Sequence, residues 1–146
     1  MDPNEISEYA REGMKWLILG GGSYIGALLV CQVYDCWPFQ RKIESQEELN
    51  VVVQEEAEKL GLDSSKIDAI YNGITNGVRK NEERWELQLE GAWHSTRNAI
   101  RHELYHIAKG HCENRLINKN RLLDVLDYLF REEPQATLYG TFGIKL

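Results

Sequence analysis

The chain has 146 residues, room for one domain of ordinary size with a small appendage. Its formal charge of −6 and pI near 5.3 argue against a general nucleic-acid binder, whose affinity would come from a basic surface. Three cysteines, Cys31, Cys36 and Cys112, indicate no disulfide framework and leave the redox compartment open.

Residues 1–15 are polar, with Asp2, Glu5, Glu8 and Glu12 against Arg11 and Lys15, a composition wrong for a secretory signal. Residues 16–34 then run for 19 positions without a charge. As a helix that length just crosses a hydrocarbon core, and Trp16, Tyr34 and Trp37 flank it as interfacial aromatics would. Gly22 and Gly26, four apart, permit close helix packing, and Pro38 ends the segment. The expectation is a single-pass membrane anchor, with a cytoplasmic location if the segment does not span. Two alternatives stand beside it. One is packing within a soluble fold, since Gly20-Gly21-Gly22-Ser23 is a poor helix centre in water. The other is a dinucleotide-type glycine turn, for which no βαβ unit follows. Arg11 and Lys15 are matched by Arg41 and Lys42, so orientation cannot be read. Residues 35–44 look like a linker, which divides the chain into an N-terminal anchor region, 1–40, and a domain, 41–146.

A helix begins at Ser45, where Ser45-Gln46-Glu47-Glu48 forms a capping box. Leu49, Val52, Val53, Glu56, Ala57 and Leu60 follow at near-helical spacing, and Gly61 stops the run. From Ile67 the pattern turns to strands. Ile67, Ala69 or Ile70, and Ile74 are weak candidates, interrupted by Asn72-Gly73 and Asn76-Gly77. Arg84 to Glu90 alternates strictly, with Trp85, Leu87 and Leu89 on one face. A small sheet followed by a helix packed beneath it is an α+β plan.

The helix that follows carries His102-Glu103-Leu104-Tyr105-His106. Ser95 or Thr96 can cap it, Ile100, Leu104, Ile107 and Ala108 form its apolar stripe, and Gly110 is its stop. Residues four apart share a helix face, so the imidazoles of His102 and His106 reach for one point. Neutral imidazoles suit zinc, and a carboxylate one step round can take a proton from a zinc-bound water. H-E-x-x-H on a helix is a recurrent metalloprotease pattern. Its bland reading is a solvated helix face with incidental histidines, which the buried character of the stripe opposes.

After Gly110 a polar loop leads to a second amphipathic helix with Leu122, Leu123, Val125, Leu126, Leu129 and Phe130. Catalytic zinc takes three protein ligands and leaves one position open. His111 lies five residues past His106, about 140° away on a continued helix, and Glu113 returns to the metal face only if the helix survives Gly110. That leaves a carboxylate on the next helix.

At this point the sequence resembles the gluzincins, and most closely the minigluzincins and the ImmA/IrrE-type peptidase domains. The resemblance covers about residues 45–140 and rests on the H-E-L-Y-H-I-A-K-G-H run, the preceding alternating strand and Glu133-Pro134-Gln135-Ala136. It implies a small zincin-like domain with Glu133 as third ligand and Ala136 as the small residue that lets two helices approach. Glu132 is the fallback ligand. Pro134 fits if Glu133 opens a new helical turn. Thr137 stands where the family often has an acid.

The activity this implies is zinc-dependent peptide hydrolysis. His102, His106 and Glu133 hold Zn²⁺, and Glu103 acts as base. Tyr139, or Tyr105, is the candidate stabiliser of the oxyanion. The strand from Trp85 to Glu90, if it forms a sheet edge, would pair with an extended peptide or protein substrate. Two other classes remain open. One is a non-catalytic regulatory or interaction domain whose zinc is closed by His111, Glu113 or Cys112. The other is a membrane protein whose N-terminal helix is its principal part.

Overall fold

In the computed structural model the described residues are 20–35, 39–90, 94–114 and 125–145. The chain separates into two compact units, Met1–Val30 and Cys31–Leu146. Residues 20–34 are helical (α1) and present Ile25, Leu29, Val30 and Val33 to solvent. No helix among the described residues is long and apolar enough to cross a membrane. Trp16 to Leu19 of the expected anchor, with Trp37 and Pro38, lie outside the described residues.

Helix α2, Gln46–Leu60, starts where the sequence places it. The Ser45 hydroxyl accepts the Glu48 amide at 3.1 Å, and Glu48 Oε2 in turn accepts the amide of Glu44 at 3.0 Å. Gly61 ends the helix with φ of 72°, a left-handed conformation that costs glycine nothing. Leu49, Val52, Val53, Glu56 and Ala57 form the buried face.

A three-stranded sheet follows. Its strands are β1 Ile67–Gly73, β2 Gly77–Asn81 and β3 Arg84–Glu90, in the spatial order β1-β3-β2. β1 runs parallel to β3, and β2 is antiparallel to it. The expected interruption at Asn72-Gly73 is instead a register shift within β1, with Asn72 at φ of 58°. The alternation in β3 is as read: Leu87 and Leu89 are fully buried. However, β3 is the central strand, so the expectation that it offers a free edge is corrected. Strand β2 escapes sequence reading because Val78 is its one large apolar residue; it is held by pairing rather than by its own pattern.

Helix α3, Arg97–Ala108, is capped by Thr96, whose hydroxyl accepts the Ala99 amide at 3.2 Å. Ile100, Leu104 and Ile107 join Leu49, Val52, Val53, Ile67, Leu87 and Leu89 in one core between α2, α3 and the sheet. A one-turn helix α4, His111–Asn114, follows Gly110, which turns at φ of 68°. Residues 125–142 form a continuous helical segment, but its turn Tyr128–Glu132 is π-helical. Helix α5, Glu133–Phe142, resumes α geometry with Pro134 in its first turn, as the sequence requires.

Two expectations are overturned. The stretch 35–44 is no free linker: Asp35 and Ile43 are buried, and Lys42 bridges to Thr96. The two compact units divide after Val30. The second amphipathic helix does not bury its apolar face among the described residues. Val125, Leu126, Leu129 and Phe130 are exposed, while Leu122 and Leu123 lie outside the described residues.

Candidate metal centre

The site is assembled from α3 and α5, which pack against each other. Helix spacing sets His102 and His106 one above the other, and their Nε2 atoms lie 3.2 Å apart. Helix α5 brings Glu133 across to close the triangle. Its Oε1 is 3.5 Å from His102 Nε2, and its Oε2 is 3.3 Å from His106 Nε2. The three side chains form a group close enough to hold a metal ion.

The close crossing of the two helices depends on small residues. Ala136 is fully buried against Tyr105 and Tyr139. A Cβ placed on Gly140 would lie 3.0 Å from His102 Cβ and 3.1 Å from the Asn98 carbonyl oxygen.

The donor geometry suits a metal better than a set of hydrogen bonds. Ligand atoms bound tetrahedrally at about 2.0 Å stand about 3.3 Å from one another; the two imidazole nitrogens are 3.2 Å apart, and each faces its own oxygen of the Glu133 carboxylate. Glu133 Oε2 is buried and accepts no hydrogen bond, although an imidazole nitrogen faces it. Burial alone would raise the Glu133 pKa, but contacts with His102 and His106 prevail and hold the carboxyl well below its usual range. Burial likewise acts to lower the His102 pKa, and the facing carboxylate of Glu133 reverses it to a net rise.

Glu103 stands beside the triangle without joining it. It lines a cavity of about 270 Å³ together with His102, Glu133, His94, Asn76 and Tyr128. Burial raises its pKa, so the proton-accepting form is less solvated and more basic than a surface carboxylate.

Behind the donors, His106 Nδ1 and His111 Nδ1 are 3.0 Å apart. His111 is therefore off the face that carries the donor group, as helix rotation requires, yet it contacts the back of the His106 ring rather than simply capping carbonyls. Tyr128 stacks on the His106 ring at 6.4 Å. Gln32 of α1 donates from Nε2 to Glu133 Oε1 at 2.8 Å.

Several sequence candidates fall elsewhere. Tyr139 and Tyr105 stack on each other at 4.9 Å and are buried. Neither is among the residues that line the cavity. Glu132, the fallback ligand, is buried outside the donor group, and the half-buried Cys112 also lies outside it. The Glu113 side chain lies outside the described residues.

Sequence reasoning missed Gln32, His94, Asn76 and Tyr128. His94 carried the one available signal, being one of only four histidines, all of which converge on this region. No protein-family model matches this chain, and neither the curated proteins nor the solved structures give a match.

Proposed function

We propose that this chain is a small zinc metallopeptidase in which His102, His106 and Glu133 hold the ion. The observation that carries the reading is the convergence of two imidazole nitrogens, 3.2 Å apart, on the Glu133 carboxylate, whose two oxygens lie 3.5 and 3.3 Å from them, beside a cavity-lining Glu103. Two imidazoles and one carboxylate are a donor set used by catalytic zinc, which keeps a fourth position open. When bound, zinc supplies Lewis acidity, acidifying a water and polarising the scissile carbonyl.

The chain's own residues supply the remaining steps. Glu103 accepts the proton of the attacking water and delivers it to the leaving amine, so the peptide C–N bond breaks without expelling an amide anion. His94 and Tyr128 line the same cavity and offer polar groups to the substrate. Strand β2 forms an edge of the described sheet, and Asn76, just before it, lies at the cavity. An extended peptide added to β2 would be led toward Glu103, which favours a peptide substrate over a compact small molecule.

The test is Glu103→Gln. The amide preserves shape but cannot accept the proton, so metal content should stay stoichiometric while peptide hydrolysis falls by about 100-fold or more. Turnover near the wild-type rate would defeat the peptidase reading. Residues 16–34 enter the proposal as a membrane tether, supported by the exposed Ile25, Leu29, Val30 and Val33. Detergent-phase partitioning of the full chain tests this.

A further inference from the structure

We infer that the last turn of α1 belongs to the metal centre, with Gln32 orienting the Glu133 carboxylate and Asp35 clamping that turn to both ligand-bearing helices. The inference rests on the metal-site reading above and assigns the site a fourth and a fifth contributor.

A carboxylate presents about four acceptor directions, and a metal ligand works best when the others are occupied. Glu133 Oε1 receives the Gln32 amide at 2.8 Å, across 101 positions of sequence. A neutral donor suits this place. A lysine or arginine would neutralise the carboxylate and compete for it, whereas an amide fixes the rotamer and leaves the charge for the ion.

Gln32 can do this only if its turn is held, and Asp35 holds it. Asp35 is 3% exposed. Its Oδ1 accepts from Asn98 Nδ2 at 3.0 Å, on α3, and its Oδ2 accepts from Thr141 Oγ1 at 2.8 Å, on α5. Its backbone carbonyl accepts from the Thr96 hydroxyl, the residue that caps α3. One residue is thus bonded to the helix carrying both histidines and to the helix carrying the glutamate. Gly140, where a Cβ would come within 3.4 Å of Asp35 Oδ2, keeps that corner open.

The experiment uses the full chain and titrates zinc against a chromophoric chelator. Cobalt absorption reports on coordination geometry, and the melting temperature of metal-free protein is measured in parallel. Gln32→Met keeps the length of the side chain and removes the donor, at a half-buried position where folding should be indifferent. Its affinity should fall about 10- to 100-fold, with an altered cobalt spectrum and an unchanged metal-free melting temperature. Asp35→Ala should weaken binding and also lower that melting temperature. If the wild type binds zinc and Gln32→Met binds equally well with the same spectrum, the inference is overturned and the metal site stands. A wild type that takes up no metal overturns both.

Discussion

A proton on the wrong nitrogen of His106 would disable it as a ligand. Donation to a metal through Nε2 requires Nδ1 to carry the hydrogen, and His111 Nδ1, 3.0 Å away, is placed to accept it. His111→Ala should therefore lower zinc affinity by about 10- to 100-fold, and Glu133→Ala should lower it further because a charged ligand is lost. Paired chelator competition on the two variants ranks them; a weaker-binding His111→Ala would mean the third ligand is misassigned. At this scale the donor face itself is legible, because 100° per residue decides which way His102, His106 and His111 turn. The partner of His111 is not legible. Gly110 breaks the helix at φ of 68°, and the ring returns to His106 by a path no period describes. Gln32 is equally hidden, since nothing in a run of apolar residues marks one amide as facing a carboxylate 101 positions away.

Between elements, two contacts set how α3 is held. Against α5 the spacing is limited by Gly140. Alanine ordinarily favours a helix interior over glycine by about 1 kcal/mol, but here its methyl would meet a backbone oxygen at 3.1 Å. Gly140→Ala should cost about 1–3 kcal/mol from overpacking and weaken metal binding as the helices part. Thermal melting and zinc titration read the two effects.

Against α2 the contact is Glu56, fully buried, which receives Arg101 Nε at 2.9 Å and Lys59 Nζ at 2.8 Å, with Arg97 at 3.2 Å. Burial acts to raise its pKa, but hydrogen bonds from Arg101 and Lys59 outweigh it, and the carboxyl titrates below its usual range. A carboxyl with a depressed folded pKa binds fewer protons in the folded chain than in the unfolded one. Its contribution is complete above the unfolded value of about 4.3 and is lost as pH falls through the folded value. Glu56→Ala should cost about 2–3 kcal/mol near neutrality and flatten the loss of stability on acidification below that value, measured by denaturant melts across pH. The amphipathic pattern places Glu56 on the inward face of α2 and Lys59 one turn on, yet its two arginine partners lie 41 and 45 positions away and leave no trace there. β3 is legible from its alternation, whereas β2 is not, because a strand with one large apolar residue has no period to detect.

For the whole molecule the division of the chain matters most. A capping box at Ser45 and a polar stretch before it suggest a start near residue 41, and the α2 cap is indeed there. What the sequence conceals is that Asp35 and Ile43 are buried, since a lone aspartate among aromatics gives no sign of its bonds to Asn98 and Thr141. The two possible cuts should behave differently. Removing residues 1–30 should leave metal affinity and melting temperature near those of the full chain. Removing 1–40 takes Gln32 and Asp35 away and should cost about 10-fold or more in affinity. Equal affinities for the two truncations would support a boundary at residue 40.

The π-helical turn Tyr128–Glu132 bears on how such a site can change over generations. A π turn closes its hydrogen bond one residue later than an α turn, so it stores one residue more than the same length of helix needs. A lineage that lost a codon for exposed Phe130 could heal as plain helix, and Glu133, Ala136 and Gly140 would keep their mutual spacing. The same loss at Gln135 would turn Glu133 by about 100° away from the residues that seat α5 on α3. The segment just ahead of the glutamate is thus a place where one residue can be lost without moving Glu133, while the ten residues Glu133–Phe142 are held to a fixed count.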